Sequence, residues 1–206
     1  MLEECASCPR LAGFLAEVRH QHPGYHARPV LPFGDPRARL LIVGLAPGMH
    51  GANRSGRPFT GDHAGILLYE TLHAFGLASR PVSVARDDGL ELIDCRITNA
   101  VKCLPPQNKP EPAEIRTCNR HLAEEIAASP DVRVILALGQ IAHKAVLLAL
   151  GMKQGACAFG HGARHALTEG RVLIDSYHCS RYNTQTRRLT TADFHDVFRN
   201  IRAELG

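Results

Sequence analysis

No stretch of the 206-residue chain strings together the roughly eighteen apolar residues that a membrane-spanning helix needs. Its first residues, MLEECASCPR, are acidic and hold no apolar signal core, so the sequence supports neither membrane insertion nor secretion and predicts a cytoplasmic protein. Internal repeats, linkers and low-complexity tracts are also missing, which predicts one domain over residues 1–206. Neither G-x-G-x-x-G nor G-x-x-x-x-G-K-[ST] occurs, and this argues against a nucleotide enzyme that cradles phosphate on a familiar Gly-rich loop. A full disulfide framework is excluded as well, because the seven cysteines are odd in number and a reducing cytosol keeps thiols free. Metal ligation gains weight in its place.

Hydrophobic residues make up 45% of the chain and charged residues 21%, enough apolar content at this length for a real core. The net charge of +4 is modest, yet basic residues bunch at 54–57 and 181–188, patches suited to phosphate. Periodicity predicts an α/β fold. Residues 3–19 read as a helix with Leu11, Phe14, Leu15 and Val18 on one face, and RLLIVG at 39–44 as the first strand. A helix follows over 64–75, a strand over 92–103, and a helix over 112–127 with Pro near its first turn. The apolar run at 132–138 reads as a central buried strand leading into a helix to 150. A strand at 171–176 and a helix at 191–204, with Thr191 as its N-cap, close the chain. The expected architecture is an α/β/α sandwich around a mostly parallel four-stranded sheet.

In such sheets ligands bind beyond the carboxyl ends of the strands, where the loops after RLLIVG, DCRITN, VILALG and VLIDSY converge. The first of these loops carries Ala46, Gly48, Asn53, Arg54, Phe59 and Asp62; the second carries Asn99; the last carries His178, Ser180 and Asn183. An aromatic ring, an amide and an imidazole suit a flat heterocycle: the ring stacks, the amide offers donor and acceptor together, and histidine stabilises charge on an oxygen. A base resting between the phenyl ring of Phe59 and the imidazole of His178 is the arrangement expected. Asp62 stands equally well as the N-cap of the helix after it. Cys5 and Cys8 form C-x-x-C, and Cys103 and Cys118 flank a Pro- and Lys-containing stretch. Four thiolates so placed fit an iron-sulfur cluster or a zinc ion, and spacing alone does not choose between them.

The segments GLAPGMHGANRSGRPFTGD, TNAVKC with PPQNKPEPAEIRTC, LALGQIA and SYHCSRYNTQT resemble, in order, the motifs of the family-5 (type B) uracil-DNA glycosylases, and the resemblance runs from Cys5 through the terminal helix. It implies a [4Fe-4S] cluster on Cys5, Cys8, Cys103 and Cys118, with Cys95, Cys157 and Cys179 matching no ligand position. It further implies that Phe59 stacks on an extruded base, that Asn99 reads the uracil edge and that His178 lies beside uracil O2. Residues 180–188 look like the loop that enters DNA, with Ser180, Arg181, Asn183, Arg187 and the upstream Arg54 as DNA contacts. The wider superfamily often places a carboxylate or amide near position 46; this chain has Leu45 and Ala46, as the type B branch does. Asn53 and Asp62 are then the polar candidates for positioning water. The implied activity is hydrolysis of the N-glycosidic bond of uracil, with hypoxanthine and modified pyrimidines as further substrates, by a monomer acting on DNA. Two other classes remain: a non-catalytic, zinc-stabilised DNA-binding module, and a nucleoside or nucleotide hydrolase.

Overall fold

Four short runs of aliphatic and β-branched residues become parallel strands because helices cover both of their faces. The computed structural model describes residues 2–206. Helix α1 (Pro9–Gln21) precedes strand β1 (Phe33–Gly34), strand β2 (Leu40–Gly44), the single turn α2 (Ala52–Ser55) and helix α3 (His63–Ala74). Strand β3 (Cys95–Asn99), helix α4 (Pro112–Ala127), strand β4 (Val134–Leu138) and helix α5 (Gln140–Ala149) follow. Strands β5 (Arg164–Ala166) and β6 (Val172–Ser176), the short helix α6 (Arg181–Gln185) and helix α7 (Thr191–Leu205) complete the chain.

The sheet order is β1-β3-β2-β4-β6-β5. The four inner strands run parallel, and β1 and β5 add antiparallel edges. The expected four-stranded sheet therefore has six strands. The two edges hold only two and three residues, too few for an alternation to be readable, and tertiary approach rather than local pattern pairs them. Along β2, Leu40 and Ile42 face the α3 and α7 layer with Phe194 and Phe198, while Leu41 and Val43 face the α4 and α5 layer with Leu122 and Val146. Each such buried side chain contributes about 1.5–3 kcal/mol. Among the parallel strands the chain starts at β2, steps outward to β3 and then returns past β2 to β4, so a crevice opens at the carboxyl ends of β2 and β4.

Other expectations shift at their ends. The first predicted helix divides into a 3-10 turn at Leu2–Glu4 and α1, which starts at Pro9 with Cys8 as N-cap. The strand predicted over 92–103 keeps its ladder only over β3, although the amides of Ala100 and Val101 still bond the carbonyls of Gly44 and Leu45. Thr190, not Thr191, caps α7: its hydroxyl accepts from the Asp193 amide and Asp193 reaches back, a capping box. Part of the expected loop at 180–188 is the helix α6, capped by the Ser180 hydroxyl.

Candidate active site and cysteine cavity

A cavity of about 510 Å³ opens at the carboxyl ends of the inner strands. Leu45, Ala46 and Gly48 reach it from β2, Asn99 from the end of β3, Gly139 and Gln140 from β4, and His178 from the segment after β6. Phe59, Asp62 and His63 line it from the loop before α3. A larger recess of about 740 Å³ lies at the opposite, amino ends of the strands. It holds the ion pairs Arg39 with Asp94 and Arg171 with Glu169, and none of the expected site residues lines it.

The loop carrying Phe59 is built to be rigid. Phe59 has a left-handed backbone (φ 56°), a costly conformation for a bulky residue that its neighbours must enforce. The Tyr69 hydroxyl donates to the Pro58 carbonyl at 2.7 Å, and the buried Arg57 guanidinium pairs with Asp88 at 2.6 Å while donating to Ser83 and Thr60. Burial opposes charge on Asp88, yet hydrogen bonds from Arg57 and from the amides of Val84, Leu90 and Ala85 hold its carboxyl well below the usual range. Arg57 is thus committed to structure, and the basic patch expected at 54–57 reduces to the exposed Arg54. Gly44 pairs with Asn99 across the ladder, and a Cβ there would collide with Asn99 Oδ1 and stand 2.6 Å from Phe59 Cζ.

Two polar atoms in this wall lack partners. Asn99 is 3% exposed and its Oδ1 accepts no hydrogen bond; His178 Nδ1 is likewise buried and unpartnered. Buried polar atoms are nearly always satisfied, so a pair of orphans beside an apolar ring marks a place for a ligand. Burial lowers the His178 pKa to about 4, so the ring is neutral at pH 7. Its main chain is fixed by Asn183, whose amide donates to the His178 carbonyl at 2.8 Å. The rings of Phe59 and His178 lie 5.9 Å apart and 26° from parallel. A flat base between them would need about 7 Å, twice a contact distance, so the expected sandwich does not fit; a base meets at least one of the rings by its edge.

At the N-terminal end of α1, Cys5, Cys8, Cys103 and Cys118 line one narrow cavity with Leu2 and Leu11. Residues far apart in sequence arrive there because Arg10 forks onto Glu114 (2.8 and 2.7 Å), fastening α1 to α4. Burial and the neighbouring thiolates push Cys103 up to about 12. Hydrogen bonds to sulfur are already in place: the Lys102 amide reaches Cys118 Sγ at 3.3 Å and Arg120 reaches Cys5 Sγ at 3.6 Å. Cys95 and Cys179 are instead fully buried in the core, and Cys157 is half-buried elsewhere.

The family model described as the Uracil DNA glycosylase superfamily matches residues 31–202. The chain belongs to that superfamily. Within it, this glycosylase is 48% identical to a type-5 uracil-DNA glycosylase of Thermus thermophilus over all of its own length and 95% of the relative's. It is 43% identical to that of Pyrobaculum aerophilum, covering 100% and 91%, and 42% identical to that of Mycobacterium tuberculosis, covering 100% and 80%. A type-4 uracil-DNA glycosylase of Pyrobaculum aerophilum is more distant, 33% identical over 74% of this chain and 64% of its own.

The remaining expected site residues of this glycosylase divide by position. Asp62 stands at the N-cap of α3, yet its side chain does not cap that helix; it accepts from the Ala52 amide at 3.1 Å in space left by Gly48 and Gly51. Burial raises its pKa, while the Ala52 amide lowers it in part. Asn53 lies fully buried outside the cavity lining, its amide directed at the Met49 carbonyl at 3.5 Å. Arg181 and Ser180 stand at the cavity, Asn183 supports it from behind, and Arg54 and Arg187 are exposed away from it. Sequence reasoning missed His63, together with Asn108, Gln140 and Ile141. The rule that loops converge at the carboxyl edge pointed to Gln140 and Ile141; Asn108 follows no strand directly and carried no such signal.

Proposed function

We propose that this glycosylase extrudes uracil from DNA into the Phe59, Asn99 and His178 cavity and hydrolyses its N-glycosidic bond, leaving an abasic site. The carrying observation is the pair of partnerless polar atoms, Asn99 Oδ1 and His178 Nδ1, beside an aromatic face. Uracil offers a matching edge: its N3–H donates to the Asn99 carbonyl, and its O2 accepts from a neutral His178 imidazole. Phe59 provides the stacking face. As the bond to the sugar stretches, negative charge gathers on the base, and His178 with the backbone amides after Ala46 stabilises it. Asp62, rather than Asn53, orients water and faces the cationic sugar, because it alone of the two lines the cavity. Asp62→Asn therefore lowers the single-turnover rate by roughly 10²-fold, whereas Asn53→Ala acts through stability; rapid-quench kinetics and melting curves separate the two.

The four cysteines hold a [4Fe-4S] cluster, to which the all-thiol donor set, apolar walls and hydrogen bonds to sulfur are suited. When bound, the cluster supplies structure, joining the N-terminus to α4. Hypoxanthine and modified pyrimidines join uracil as substrates, since without a polar residue at position 46 the site relies on base-anion stabilisation. Extrusion costs least from a mispair, so uracil opposite guanine reacts faster than uracil opposite adenine.

Oligonucleotides carrying uracil, hypoxanthine or normal bases, treated with enzyme and then alkali, test the proposal. Strand cleavage at uracil is expected; cleavage of free deoxyuridine but not of the oligonucleotide would make the protein a nucleoside hydrolase instead. Gly44→Ala abolishes this release while circular dichroism shows the sheet retained, because its methyl group invades the space of Asn99 and Phe59. Arg187→Ala weakens DNA binding across all sequences and reduces the slope of log K against log salt by about one, as loss of one phosphate contact requires. An unchanged slope removes Arg187 from the interface.

A further inference from the structure

Between β6 and α5, away from both cavities, three side chains with metal-binding atoms meet. Asp175 and His143 are wholly buried, at 0% and 1% exposure, and His165 comes from the edge strand β5, half-buried. His143 Nδ1 stands 2.7 Å from Asp175 Oδ1, and His165 Nε2 stands 3.1 Å from Asp175 Oδ2. One ligand atom from each residue lies within 4.8 Å of the other two. The other ring nitrogen of His143, Nε2, faces the Cys157 carbonyl at 3.1 Å.

A neutral imidazole has one N–H and one lone pair. His143 has an oxygen acceptor at each end, so a neutral ring would set its lone pair against an oxygen on one side or the other. Positive charge at the Asp175 end removes the conflict. We propose that this charge is a divalent transition-metal ion of the zinc type, bound by His143 Nδ1, His165 Nε2 and the Asp175 carboxylate. The remaining contacts then fall into the pattern of a metal site's outer shell. His143 Nε2–H donates to the Cys157 carbonyl, fixing the tautomer that leaves Nδ1 free for the ion, and the Gly160 amide approaches Asp175 Oδ2 at 3.4 Å. Two imidazoles and a carboxylate suit zinc and its neighbours, whereas calcium and magnesium prefer oxygen alone. The half-buried flank of His165 leaves a fourth position open to water.

The site ties residues 151–163, which contain no helix or strand, to α5 and β6. That segment carries His161, whose Nδ1 accepts the Tyr177 amide at 3.1 Å and whose ring stacks on Tyr177 at 5.0 Å, one residue before His178. The ion thus has a supporting role, remote from the bond that breaks.

The test uses the full-length protein with its cysteine site loaded. Chelator treatment that leaves the iron count unchanged is followed by calorimetric titration with zinc, and zinc and iron are counted per chain after dialysis. One zinc per chain with iron unchanged is expected, with a melting temperature that climbs as zinc is added. His165→Ala, on an edge strand the core does not need, weakens zinc binding by more than ~100-fold, beyond the loss of an outer-shell partner, and cancels the zinc-dependent rise in melting temperature. Three results would overturn the proposal: no zinc bound; zinc bound equally by His165→Ala; or zinc bound only as iron is lost.

Discussion

His178→Ala lowers the single-turnover rate of uracil release by roughly 10²–10³-fold, the scale for losing one donor aimed at developing negative charge. Affinity for uracil-containing DNA changes far less, because the contact proposed is strongest in the transition state. Measuring both on one oligonucleotide, by rapid quench and by fluorescence anisotropy, decides the role: equal losses would reduce His178 to a ground-state contact. Burial places the His178 pKa at about 4 instead of the ordinary 6.5. The wild-type rate consequently shows no inflection near pH 6.5 that the alanine variant lacks. Stability follows the same linkage. A folded-state value below the unfolded one means the unfolded chain takes up the proton first, so the stability tied to this group is complete above pH 6.5 and is lost as pH falls through about 4. The melting temperature of wild type should drop further across that window than that of His178→Ala.

Cys103→Ser yields a colourless protein that has lost its iron and melts roughly 10 °C lower, the size expected when a structural metal site of several kcal/mol is removed from a chain of this length. Burial on the core side of the site makes an exposed surface repair unavailable: Cys103 and Cys118 are 9% and 8% exposed. Visible absorbance, iron content and a melting curve together measure the effect. Native protein that is colourless and carries zinc at these cysteines would replace the cluster with a mononuclear ion, and Cys103→Ser would then release zinc.

The inner strands were legible because burial on both faces leaves uninterrupted runs such as VILAL, while β1 and β5 owe their pairing to neighbours and carry no pattern of their own. Phe59, Asn99 and His178 could be placed together since each follows an inner strand or its loop. What sequence could not convey was orientation. Arg57 reads as one more surface cation beside Arg54, and only the fold brings Asp88 and Ser83 to meet it indoors. Asp62 and Asn53 share a loop and a polarity, but α2 turns one toward the cavity and the other into the interior. Asp175 looks like an interruption in the apolar run VLIDS, because its histidine partners lie 32 and 10 positions away.

Cys5 and Cys118, the first and last thiols of the shared cavity, are separated by more than half the chain. During synthesis the ribosome releases Cys5 and Cys8 long before α4 exists to receive them, so the N-terminal segment waits undocked while the first three of the six described strands are made. Its two cysteines pass through that interval open to oxidants and stray metals. Assembly of the site accordingly waits on the second half of the nascent chain, and for the cluster proposed above the supply of iron and sulfide at that moment would govern how many finished molecules are sound.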